Sequence, residues 1–247
     1  MISFVLLTWN RKKFAEELLR SFYQNISNAH EYEFLIIDNG SKDGTAEILK
    51  QAQIKDTSVH VYFNKKNKGL PQYKRLMRLA KGDYIIIIDD DIIQFPKNFD
   101  DILIKSIQAA KDFGFIALDV IQNEYTNGAK PDQSLYKDIK AGDYILSEGP
   151  AGGWCAVLRK ADFDKIKFYF YIHIVNMRYS HDGVITKLLR QKMKLRQGVL
   201  KGIKCFHACG PYYAKQYGYL EQDIMKYRKS NLKKFVQMYE SYIDKKS

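Results

Sequence analysis

The chain is poor in cysteine and proline and has no long apolar run. Its three cysteines, Cys155, Cys205 and Cys209, are too few and too odd in number for a disulfide framework and point to a reducing compartment. Five prolines and 15 glycines exclude collagen-like and low-complexity architectures. The most apolar run, Tyr84 to Ile88, is far short of the roughly 20 residues of a membrane-spanning helix. A secretory leader is not expected: the stretch Ile2 to Leu7 is short, and Arg11, Lys12 and Lys13 follow it rather than precede it. The sequence therefore predicts a cytoplasmic protein. Neither a Walker A loop nor G-x-G-x-x-G follows the first apolar segment, where Thr8-Trp9-Asn10-Arg11 stands instead. This argues against P-loop chemistry and dinucleotide binding.

What is present is ordinary globular material with an unusual charge. The 247 residues are 46% apolar and 28% charged, which excludes a mainly disordered chain and suits one large domain or two small ones. Lys and Arg number 40 against 28 Asp and Glu, a surplus of 40 − 28 = +12. That balance suits polyanions: nucleic acid, anionic lipid headgroups or phosphorylated substrates. From Pro211 to Ser247 there are eight Lys/Arg, four Asp/Glu and seven tyrosines.

The patterning predicts buried strands over Ile2 to Thr8, Tyr32 to Ile37, Val59 to Phe63 and Tyr84 to Ile88. Helices over Arg11 to Tyr23, Lys42 to Gln51 and Leu70 to Ala80 alternate with them. Continuously apolar strands are covered on both faces, so a doubly wound, mostly parallel α/β sheet follows, with its ligand beyond the carboxyl ends of the strands. Further on, Asn98 to Ala110 reads as a helix, Phe115 to Ile121 as a strand, and Gln122 to Gly149 as a polar excursion or floppy hairpin. Trp154 to Leu158 and Gly198 to His207 read as strands. His181 to Met193, and most of the chain from Pro211 onward, read as helix.

Asp89-Asp90-Asp91 directly follows four isoleucines. Carboxylates at the end of a buried strand suit a hard divalent cation, Mg²⁺ or Mn²⁺. The alternative is an acidic turn in which Asp91 caps a helix. Asp38-Asn39-Gly40-Ser41 ends the second strand similarly, as either a nucleoside contact or a plain turn. Cys205, His207 and Cys209 would share a strand face as zinc ligands. At i, i+2, i+4, however, neighbours stand roughly 6.5 Å apart, too wide for a tight tetrahedral site.

Over about residues 1–100 these segments resemble family 2 glycosyltransferases of the GT-A fold. The matching stretches are Val5 to Arg11, Phe34 to Thr45, Asn67-Lys68-Gly69 and Ala80 to Pro96. The resemblance implies a single GT-A domain over 1–247. Its donor half is 1–100, its elaborated acceptor half 101–210, and its basic helical end 211–247. It implies Thr8 and Asp38 at the nucleobase, with Asn10, Arg11, Asp43, Asp89 and Asp90 also on the nucleotide-sugar side. Asp91, with Asp89 and His207, would hold Mn²⁺ or Mg²⁺. Lys74 or Arg75 would be the cation reaching the donor, since the family's A-R-N segment is not reproduced. Gly149 to Trp154 resembles the acceptor-side glycine segment, with Gly152, Gly153 and Trp154 facing the acceptor. Asp182 aligns with the catalytic carboxylate. His181 replaces the usual Glu and can itself take a proton near pH 7.

The implied reaction is inverting transfer from a nucleotide-diphosphate sugar, most simply a UDP-sugar, to a glycan or glycolipid acceptor. The alternatives are a polyanionic acceptor such as hydroxylated bases in DNA, a nucleotidyltransferase, or a non-catalytic binding module. Tyr217, Leu220, Ile224, Tyr227 and Leu232 to Val236 approximate one apolar helical stripe, flanked by Lys226, Arg228, Lys229, Lys233 and Lys234. Such a helix suits an anionic membrane surface or a phosphate backbone, or simply packs on the domain.

Overall fold

The computed structural model describes residues 1–126 and 130–244. In chain order the first half runs β1 (Ile2–Thr8), α1 (Lys12–Asn25), β2 (Tyr32–Asp38), α2 (Thr45–Lys55), β3 (Val59–Phe63), α3 (Gln72–Leu79), β4 (Tyr84–Ile88), β5 (Ile92–Gln94) and α4 (Phe99–Ala109). Then follow β6 (Phe113–Val120), β7 (Lys137–Ala141), β8 (Tyr144–Glu148), β9 (Cys155–Arg159), α5 (Lys160–Ile172), α6 (His181–Met193) and β10 (Arg196–His207). The chain ends in α7 (Pro211–Tyr217), α8 (Leu220–Lys229) and α9 (Lys233–Glu240).

One sheet takes the order β3-β2-β1-β4-β9-β6-β10-β8-β7, with β5 on β10. β3, β2, β1 and β4 are mutually parallel, as the continuously apolar strands predict. β9 then runs antiparallel between β4 and β6, and β6 pairs in parallel with β10. Consecutive residues of β1, β2, β4 and β6 are buried, so both sheet faces are covered. α1 turns Phe14, Leu18, Leu19 and Phe22 inward, and Phe22 meets Phe4 of β1 edge to face at 5.0 Å. The main apolar core runs from Ile2 to Cys205, with smaller clusters around Leu220 and around Phe14.

The polar stretch 122–149 contains the hairpin β7–β8, one of the two forms expected for it, tied to the sheet through β8 and β10; Asn127, Gly128 and Ala129 lie outside the described residues. Three departures from the sequence reading have physical causes. β5 is three residues long, too short for a period-2 signal. The helix α5 is anchored by Asp162, Phe163, Ile166 and Phe170 beneath a heavily aromatic sequence that masks its period. Finally, the basic end is not one amphipathic helix. Gly218 at φ +84° ends α7, and the turn at Ser230 to Leu232 separates α8 from α9. Leu220 and Ile224 pack with Ala214 and Tyr239, so the inferred stripe closes on itself. Lys245, Lys246 and Ser247 lie outside the described residues.

Candidate functional site

The acidic triplet begins where β4 leaves the sheet. Asp89 is held by its backbone N–H, which donates to the Trp154 carbonyl at 3.0 Å, and the Asp91 carbonyl accepts from Ala208 N–H at 2.9 Å. This second bond draws the end of β10 over the triplet. Asp89, Asp91 and His207 then each offer an atom within 4.8 Å of the others. His207 Nε2 stands 2.8 Å from Asp91 Oδ1 and 4.0 Å from Asp89 Oδ2. Despite that closeness Asp91 Oδ1 is buried without a hydrogen-bond partner. Ligands of one octahedral cation at about 2.1 Å lie roughly 3–4 Å apart, so this donor set fits Mn²⁺ or Mg²⁺.

Burial pushes Asp89 up to about 7; the charge of His207 opposes this and those of Asp91 and Asp182 add to it. Burial would also raise Asp91, but His207 together with Arg11 and Lys226 outweighs it and holds this carboxyl at about 2. Asp90 is raised by burial and held back by Arg11.

Opposite this cluster, Ser180 caps α6, its hydroxyl accepting from Gly183 N–H, which places His181 and Asp182 in the first turn. Asp182 Oδ2 accepts from Gly153 N–H at 2.9 Å, while Oδ1 is buried and unpartnered. Burial works against the Asp182 charge, yet His181 and these hydrogen bonds hold its carboxyl below the usual range. The two glycines are there for close approach. A Cβ on Gly153 would sit 3.1 Å from His181 Nε2 and 3.2 Å from Asp182 Cβ; one on Gly152 would strike the Trp154 ring at 2.7 Å. His181 stacks on Tyr73 of α3 with ring centroids 3.4 Å apart, and both its nitrogens are buried and unpartnered. Burial lowers its pKa to about 4, only partly offset by Asp182, so the imidazole is neutral near pH 7.

At the parallel edge, Thr8 and Asp38 are register partners across β1 and β2. The Thr8 hydroxyl is buried and unpartnered. Asp38 accepts from the backbone and hydroxyl of Ser41 and retains unused lone pairs. Asn10 and Asp43 hold the neighbouring loops. Asn10 Oδ1 accepts from Lys42 N–H at 2.8 Å, and Asp43 accepts from Lys12 N–H and from Thr45.

Three residues expected at the ligand are engaged elsewhere. Lys74 Nζ donates to the carbonyls of Tyr171 and His173 at 2.8 and 2.7 Å, capping the carboxyl end of α5. Arg75 lies 4.8 Å over the Tyr62 ring on β3. Trp154 is buried, with its indole N–H bound to the Leu118 carbonyl at 2.8 Å, and it backs His207 rather than facing a cleft. Conversely, Tyr73, Tyr219, Gln222, Asp223 and Lys226 border the site without having been singled out for it. Only the spacing of Asp223 and Lys226, three apart on a basic helix, hinted at an ion pair.

The fold and this constellation define a GT-A-type transferase architecture. Residues 3–167 match Glycosyl transferase family 2, and the chain belongs to that family. It is 30% identical over 154 residues to the glycosyltransferase GlyG of Streptococcus pneumoniae, covering 60% of this chain and 46% of GlyG. Among solved structures it is similar to a mannosyltransferase, PcManGT of Pyrobaculum calidifontis, in complex with GDP-Man and Mn²⁺. That likeness has a TM-score of 0.64 at 15% identity over 100% of this chain and 65% of the other. It is also similar to S. aureus TarS 1-349 in complex with UDP-GlcNAc, with a TM-score of 0.62 at 17% identity over 83% and 57%. The chain thus spans about half to two thirds of these relatives. Among the described residues no helix is long and apolar enough to cross a membrane.

Proposed function

We propose that the chain is an inverting, divalent-cation-assisted glycosyltransferase that moves a sugar from a nucleoside-diphosphate sugar, most simply a UDP-sugar, to a hydroxyl of a glycan or glycolipid. The observation that carries this reading is the convergence of Asp89, Asp91 and His207 on one point, with Asp182 held through Oδ2 by the Gly153 turn that adjoins Trp154 and its Oδ1 left unpartnered. Asp89, Asp91 and His207 would hold Mn²⁺ or Mg²⁺, which would supply Lewis-acid neutralisation of charge on the departing diphosphate. Thr8 and Asp38 receive the nucleobase over the ends of β1 and β2. Asp182 takes the acceptor proton on Oδ1, while Gly153 N–H fixes Oδ2. The acceptor oxygen bonds to the anomeric carbon as the bond to the diphosphate oxygen breaks on the opposite face, so configuration inverts. His181, neutral and stacked on Tyr73, lines the reacting space rather than taking the proton.

A membrane-bound acceptor is favoured by the outer surface of the C-terminal helices. Met225, Phe235 and Met238 are exposed there beside Lys229, Lys233 and Lys234. Apolar and basic groups together suit an anionic membrane surface and a peripheral cytoplasmic location. Two experiments test the reading. UDP, GDP and TDP, and the sugars they carry, are assayed for binding and slow hydrolysis with Mn²⁺; no binding by any of them overturns the donor assignment. Co-sedimentation with anionic liposomes, lost in high salt, supports the membrane surface, whereas salt-sensitive retardation of short DNA without liposome binding replaces it.

A further inference from the structure

The C-terminal helices lie beyond the family match at 3–167, yet they are sewn onto the donor side of the site. Gln222 of α8 donates to the carbonyls of Trp9 and Asn10, and the Tyr219 hydroxyl accepts from Lys13 N–H. Asp223 binds Arg11 at 2.5 Å, and the guanidinium lies 4.8 Å over the Tyr219 ring. Arg11 Nη1 is nevertheless buried without a partner. One turn along α8, Lys226 Nζ stands 3.4 Å from the same Asp223 oxygen. Arg11 holds that oxygen at 2.5 Å, so Lys226 at 3.4 Å is the more loosely held member, and its side chain is 35% exposed. The charges of both cations act on Asp90 and Asp91. Meanwhile Lys74 and Arg75 are committed to α5 and Tyr62.

Resting on the glycosyltransferase reading, we infer that Lys226 is a donor-binding residue: α8 supplies the ammonium that meets the nucleoside diphosphate beside the acidic triplet. Three carboxylates and a diphosphate in one place need more positive charge than a single divalent cation brings. Arg11 is already half neutralised by Asp223. Lys226 can leave Asp223 for a phosphate oxygen while Asp223 keeps its bond to Arg11, so no buried charge is left bare by the exchange. The C-terminal helices are then part of the donor pocket.

The test uses the full chain with Mn²⁺ and UDP, GDP or TDP, whichever binds tightest, measured by titration calorimetry. Lys226→Ala weakens that nucleotide about tenfold or more, the loss of one charged hydrogen bond, with an unchanged melting temperature. Lys226→Arg keeps most of the affinity. Lys229→Ala, which removes the same charge from the exposed side of α8, leaves it unchanged. An affinity within about twofold for Lys226→Ala, or an equal loss for Lys229→Ala, overturns the assignment of Lys226 alone. If the unaltered chain binds no nucleoside diphosphate, the donor reading itself falls, which is a different result.

Discussion

The guanidinium of Arg11 lies 2.5 Å from the carboxylate of Asp223, 212 positions further along the chain, and both side chains are less than a tenth exposed. Removing one member strands a buried charge, which typically costs about 3–5 kcal/mol. Asp223→Ala should therefore lower the melting temperature by roughly 10 °C in a chain of this size. The double variant Arg11→Met with Asp223→Leu should regain much of that. Equal melting temperatures for Asp223→Ala and the unaltered chain would show that the pair is not buried in solution.

Asp91→Asn removes a charged oxygen from the trio with His207 and Asp89. Mn²⁺ affinity should fall by about tenfold or more while the fold survives. The pH dependence has a definite sign. Metal binding needs Asp89 deprotonated, and burial holds its metal-free carboxyl up at about 7. Binding also needs His207 neutral; burial lowers that imidazole's pKa but Asp91 raises it above its ordinary value, so Mn²⁺ affinity should weaken as pH drops through 7 and keep rising above it until His207 has lost its proton. Isothermal titrations at pH 5.5 and 8 check this.

Asp182→Asn should lower kcat by about 10²–10⁴-fold and leave nucleotide binding intact, because the residue acts on the acceptor. His181→Ala should be milder. At saturating Mn²⁺ the acid limb of kcat should fall below the ordinary carboxylate range, since the Asp182 carboxyl is held down by His181 and hydrogen bonds. A reversed order of severity would make the imidazole the base.

Gly153→Ala should fold, yet lose activity by up to about a hundredfold. Its new methyl must displace His181 or Asp182 by a few tenths of an ångström. Kinetics beside a melting curve separate this from simple destabilisation.

The parallel half of the sheet was legible because β1, β2 and β4 are short, fully buried strands whose apolar runs end in Asp or Thr. The acidic run Asp89 to Asp91 pointed to cation chemistry at a strand end and the family resemblance added His207, and the structure brings Asp89, Asp91 and His207 together. The antiparallel insertion of β9 was not, because Cys155 to Arg159 reads the same in either direction. The fate of Lys74 was also hidden, since its partners sit 97 and 99 residues away at the carboxyl end of α5. Local spacing cannot report which carbonyl or carboxylate a long flexible cation will find. Trp154 misled for a related reason: an indole before a strand suits a sugar platform and a core wedge equally, and only the Leu118 carbonyl decides between them.

The antiparallel register that sets Ile88 opposite Cys155 has an evolutionary corollary. Asp89 follows one strand and Gly153 precedes the other, so the distance from the cation ligands to the group that seats Asp182 is fixed by one ladder rather than by any loop. Lengthening the excursion between β6 and β9 leaves that distance untouched, and such insertions should be freely tolerated. A single residue gained or lost between Gly153 and Cys155 would instead move Asp182's seat relative to the acidic triplet. Related chains are therefore expected to vary in length on one side of β9 and to be invariant in length on the other.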